Sequence, residues 1–169
     1  MSRRVIIADA GPLIALARID SLGLLRGVFG RVSITGTLRD EVLPAVSTFR
    51  ETTLVARTLA EGWIEVVDEP QDDWRPLNPG TDAGEVSAIH TACRWRDAGD
   101  AVLLVMDGRA GRLEARARGI TLIGTSAVIG LAKTEDLIAV ARPLLERMVQ
   151  AGCFIGPSVI AAVLAEVGE

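Results

Sequence analysis

Short apolar runs alternate with segments of helical period along the whole chain, and this alternation restricts the fold more than any other feature. Residues 5–8 (VIIA), 32–34, 63–67, 102–106 (VLLVM) and 121–123 read as strands. Residues 12–19, 22–29, 37–43, 47–61, 83–96, 108–118, 126–133, 140–150 and 157–167 read as helices. Strands separated by helices pair in parallel through right-handed crossovers. Aromatic residues make up only 4% and tyrosine is absent, so the core must be alanine, valine, isoleucine and leucine, which suits helices packed on a parallel sheet. The 169 residues suit a single domain, 1–169, with a core over 1–134 and a helical extension over 135–169. The proline-rich segment 68–81 (DEPQDDWRPLNPGT) is a loop and not a domain boundary, because neither half has a complete sheet.

Each of the two strongest strands runs into a carboxylate. Asp9 follows 5–8, and Asp107 follows 102–106. In an open parallel sheet, ligands bind outside the carboxyl ends of the strands, near the switch in strand order. Two further acids, Glu41 and Glu85, fall in first turns of helices that can face the same edge. Converging carboxylates raise one another's proton affinity unless a cation compensates them. Mg2+ or Mn2+ takes hard oxygen ligands of this kind and can activate a water against a phosphodiester. The net charge is −4, and setting these four acids aside leaves acids and bases equal.

Every one of these acids also has a plain structural reading. Asp9 can cap the helix that begins near Pro12. Asp107 can be a turn residue. Asp82 and Glu85 form a capping-box pattern, while Asp40, three residues after Thr37, can serve the preceding cap and leave Glu41 free. Asp20-Ser21 reads as the break and cap between the first two helices, and Thr125 as the cap of the helix at Ser126. The shared placement of the acids at strand and helix ends, more than any single residue, points to a metal site.

The order 6-IIADAGPLIALARI-19, 37-TLRDEV-42, 84-GEVSAIHTA-92 and 103-LLVMDGRAGRLEARARGITLIGT-125 resembles the PIN-domain superfamily. It looks closest to a prokaryotic PIN-like subfamily long filed as a domain of unknown function, and 143-PLLERMVQAGCFIGPSVIAAVLAEVGE-169 is similar to that subfamily's tail. The resemblance implies a three-layer α/β fold, a central parallel sheet flanked by helices with extra C-terminal helices. It implies that Asp9, Glu41, Glu85 and Asp107 are the four catalytic, metal-binding acids. It also implies an Mg2+- or Mn2+-dependent endoribonuclease, the homodimeric toxin of a toxin–antitoxin pair, with RNA as substrate and an antitoxin protein as partner. The chain departs from the subfamily at Gly11, where members often carry Ser or Thr, and at Gly108, where a second acid is common.

Arg109, Arg112 and Arg116 fall on one face of the helix after Asp107 and are candidate RNA-backbone contacts. The alternative is a solvated face partly balanced by Glu114. Arg94 and Arg96 suit the negative end of the preceding helix. The lone His90 offers no ligand cluster and reads as structural. The apolar run 159–164 is either core or a partner surface. Cys93 and Cys153 form no metal or redox motif. No apolar run approaches the ~20 residues a bilayer span needs, and no signal-peptide core is present, so a cytoplasmic protein without membrane contact is expected. Two other readings stay open: a catalytically weak PIN-like module binding RNA or a partner protein, and a phosphoacceptor domain, for which Lys133 is the one available lysine.

Overall fold

The computed structural model describes residues 2–169. Five strands form one sheet: β1 (Arg4–Ala8), β2 (Val32–Thr35), β3 (Ile64–Val67), β4 (Ala101–Val105) and β5 (Thr121–Ile123). Their order is β3-β2-β1-β4-β5, and every pairing is parallel. The helices are α1 (Ala10–Arg18), α2 (Gly23–Phe29), α3 (Gly36–Val42), α4 (Arg50–Glu61), α5 (Ala83–Asp97), α6 (Arg109–Ala117), α7 (Thr125–Thr134), α8 (Arg142–Gln150) and α9 (Pro157–Glu166). This is the expected three-layer α/β fold. Right-handed crossovers from β1 to β3 run one way, and those from β3 to β5 run the other, so the two sets of helices cover opposite faces.

The strand order places the switch point between β1 and β4. Arg4 pairs with Ala101 and Ala8 with Val105, so the carboxyl ends of these two strands are level. Ile7, Ala8, Leu104 and Val105 are fully buried there, with alternate side chains on the two faces, and α5 packs on β1, β2 and β4. No helix of the described residues is long and apolar enough to cross a membrane.

Several helix starts differ from expectation. α3 is capped by Thr35, whose hydroxyl accepts the Leu38 N–H at 3.2 Å; Thr37 instead donates both its N–H and its hydroxyl to Glu69. Asp40 pairs with Arg39 and takes no part in the cap. The Ser21 hydroxyl donates to the Ile19 carbonyl and leaves α2 without a side-chain cap. α4 begins at Arg50, because the Ser47 hydroxyl accepts the Phe49 N–H and bonds Thr52, holding 47–49 in a turn.

The loop after β3 is tied down along its length. Glu69 holds α3 through Thr37, and Asp72 Oδ1 stands 2.8 Å from His90 Nε2 on α5. Trp74 stacks on His90 at 5.1 Å, with the Arg118 guanidinium on the ring at 4.6 Å. The Leu77 and Asn78 N–H groups donate to Glu114 on α6. Glu114 is fully buried and turned inward, so it does not balance the basic face of α6. His90 is structural, as expected, and Arg94 works sideways, reaching Asp72 at 3.8 Å.

The apolar run in α9 is core in part. Val163 and Leu164 are buried, Val163 against Gly130 of α7, whereas Val159 is exposed. Glu169 fastens this region: its carboxylate accepts from Lys133 Nζ (2.7 Å) and from the Ala141 and Arg142 N–H groups (2.6 and 3.1 Å). The Lys133 contact, then the Ala141 N–H, hold its pKa down at about 2. A depressed carboxylate stabilises the fold above its ordinary pKa of 4.5 and loses that contribution as pH falls through about 2. Glu169→Ala is therefore expected to lower the melting temperature at pH 7, with the gap to wild type narrowing as pH falls below the ordinary value. Thermal melts at several pH values check this.

Candidate metal centre

Asp9 is the residue on which the edge is built. Its N–H donates to the Val105 carbonyl at 2.9 Å, extending the β1–β4 ladder by one bond past the strand. It sits at the N-cap position of α1 without a side-chain capping bond of the usual kind, and the Ala10 N–H is the backbone donor that meets its carboxyl group. The carboxyl group is buried. Burial, then the charges of Glu85, Asp82 and Glu41, push it up to about 7 against the pull of the Ala10 N–H.

Glu41 and Glu85 reach this neighbourhood from α3 and α5. Partial desolvation, then Asp82 and Glu85, raise the Glu41 pKa. Gly84 makes that approach feasible, since a Cβ there would overlap Glu41 Oε2 and press on Leu38 at 3.0 Å. Glu85 is raised by burial and by Asp82, and is opposed by the N–H groups of Asp82 and Gly111. The capping box is present: Asp82 Oδ1 accepts the Glu85 N–H at 2.8 Å, and Glu85 Oε2 accepts the Asp82 N–H at 3.2 Å. Asp82 thus caps α5 and also adds a charge to the cluster. The sequence carried a signal for the cap; the charge is apparent only once α3 and β1 are in place beside it.

Asp107 stands on the same edge, exposed and tied to the start of α7. Its Oδ1 accepts the Thr125 N–H at 2.8 Å and its Oδ2 the Thr125 hydroxyl at 2.6 Å. Thr125 therefore holds Asp107 and does not cap α7, whose N-cap is Gly124. Arg112 lies close by and donates to the Met106 carbonyl at 2.8 Å, fixing the turn that carries Asp107. Arg109 and Arg116 are exposed and, among the described residues, form no ion pair.

The donor set suits a hard divalent cation in its chemistry: carboxylate oxygens on one sheet edge, with no cationic side chain paired to any of them among the described residues. Its spacing is more open. Among the described residues, no three acidic, histidine or cysteine side chains converge as ligands of a single ion. Asp107 has both oxygens turned to Thr125, the buried Glu85 meets the Asp82 and Gly111 N–H groups, and the buried Asp9 meets the Ala10 N–H.

Gly11 adds a detail. A Cβ there would start 3.9 Å from Asp9 Oδ2, so this position lies directly beside the carboxylate and is bare. A family model described as a PIN domain matches residues 5–169, and that fold is of nuclease type. No curated protein matches the chain.

Proposed function

We propose that this chain, which belongs to the PIN-domain family, is a divalent-cation-dependent endoribonuclease. The observation that carries the reading is Asp9, a buried carboxyl at the tip of the central strand, which burial and the charges of Glu85, Asp82 and Glu41 push up to about 7. A fold that buries acids together in this way gains stability from a bound cation and loses it without one.

Asp9, Glu41, Glu85 and Asp107 would hold Mg2+ or Mn2+. Bound there, the cation supplies stabilisation of phosphate charge and a water of lowered pKa. The protein's own contributions are distinct. Asp9 sets the depth of the site through its backbone bond to Val105. Arg112 fixes the Met106–Asp107 turn. Arg109 and Arg116, exposed and without an ion pair among the described residues, bind the RNA backbone. No side chain is needed as a covalent nucleophile. The biological reading is a cytoplasmic toxin, active as a homodimer and restrained by an antitoxin.

The test is cleavage of end-labelled single-stranded RNA with Mn2+, stopped by chelation. The Arg109→Ala/Arg116→Ala protein should bind the same RNA roughly tenfold more weakly at low salt, with a shallower salt dependence. Unchanged affinity and salt slope would remove α6 from the interface. A second reading, a catalytically weak module that binds RNA or a partner protein, draws on the bare Gly11 and on the prior engagement of Glu85 and Asp107. Calorimetric titration separates the two, because an inactive module takes up no Mn2+ at millimolar concentration.

A further inference from the structure

The helix α6 has no cap of its own. Its N-cap is Gly108, and no side chain of the helix bonds its first turn. The carboxylate that meets this turn comes from Glu85 on α5. The Gly111 N–H points at it, and its other oxygen accepts the Asp82 N–H at 3.2 Å. Two glycines make the room. A Cβ at Gly108 would overlap Glu85 Oε1, and a Cβ at Gly111 would lie 2.7 Å from Glu85 Cδ and 2.5 Å from the Met106 sulfur. The bare position at 108 is thus a niche shaped to the Glu85 carboxylate.

We propose that Glu85 is a two-position gate: it is parked in the Gly108–Gly111 niche as a cap for α6, and it must leave that niche to join Asp9 and Glu41 around a cation. This rests on the proposed metal-dependent function. In the parked position, the first turn of α6 offers the Gly111 N–H to Glu85. Withdrawal toward the ion leaves the Gly111 N–H without this acceptor. Gly108 is accordingly a positioning residue that sets how firmly Glu85 is held in the niche. A larger side chain in its place could not share this space.

The test is Mn2+ affinity by calorimetry for wild type, Gly108→Ala and Gly108→Ala/Glu85→Gln, with amide exchange of residues 108–112 followed by mass spectrometry with and without Mg2+. The methyl group of Gly108→Ala meets the far end of a flexible side chain, so it expels the carboxylate at little cost to the backbone. Gly108→Ala is expected to bind Mn2+ several-fold more tightly than wild type, and Glu85→Gln to abolish that gain. In wild type, Mg2+ is expected to speed exchange at Gly111. Equal or weaker Mn2+ binding by Gly108→Ala overturns the gate while leaving the metal site standing, as does unchanged Gly111 exchange in a protein that binds Mg2+. If neither wild type nor Gly108→Ala binds Mn2+, the metal-dependent reading falls and the gate with it. Should Gly108→Ala fold poorly, the exchange experiment on wild type decides alone.

Discussion

Asp9→Asn is expected to abolish Mn2+-dependent RNA cleavage and to make the metal-free protein more stable above neutral pH. The two effects have one cause. Asp9 is buried among acids and its pKa rises from 3.8 to about 7. A carboxyl raised on folding binds protons more tightly in the native state, so stability is greatest at low pH and falls as pH rises between those two values. At pH 8 the ionised group opposes folding by on the order of 4 kcal/mol. Asparagine removes the charge and keeps the shape. The melting temperature of the variant should exceed that of wild type at pH 8, and the two should converge near pH 4. Millimolar Mn2+ should raise the wild-type curve and leave the variant where it is. Thermal melts with and without metal check the stability, and a gel assay checks the cleavage. A variant that cleaves RNA as fast as wild type would remove the proposed mechanism.

Glu114→Ala is expected to be the most damaging substitution outside the acidic edge. The carboxylate is enclosed and accepts three bonds, from the Leu77 N–H (3.0 Å), the Asn78 N–H (2.8 Å) and Arg118 Nε (2.9 Å). Its pKa reflects a contest. Burial raises it, but the Leu77 N–H, Arg118 and the Asn78 N–H together hold it below its ordinary 4.5. Truncation strands two N–H groups and a guanidinium, which costs roughly 3 kcal/mol. For a domain of this size that is roughly 6–12 °C in melting temperature. The loop over 68–81 should detach first, seen as a change in Trp74 fluorescence and in proteolysis within the loop. Glu114→Gln should lose less, because its carbonyl oxygen can still accept from the loop. A melt indistinguishable from wild type would mean the loop is held by Trp74 and His90 alone.

The strands and helices were legible because each is short and strongly patterned. The apolar runs ending in Asp9 and Asp107 could only be strands reaching the carboxyl edge, and the fold follows from their alternation with helices. The errors lie in side chains whose partners are distant in sequence. Thr37 looks like a cap until Glu69, from beyond β3, takes its donors. Glu114 looks like part of a solvated face until residues 77–78 fold over it. Thr125 looks like a cap until Asp107 is seen to accept both its donors. Gly108 reads as the loss of an acid, and only the Glu85 carboxylate beside it shows what the missing side chain leaves room for. Periodicity reports which face of an element is buried. It does not report what arrives to cover a polar group.

The pairing of β1 with β4 has a consequence for the time at which the site can exist. Arg4 pairs with Ala101, and β1 gains its second neighbour only then. During synthesis the amino-terminal strand is made first, yet Asp9 cannot be enclosed until the chain has been extended past β4 and has emerged far enough to fold. Until that moment the carboxylates lie on separate, unjoined segments. A nascent chain of this protein therefore carries its acids past the ribosome's own RNA before they can be gathered into one edge.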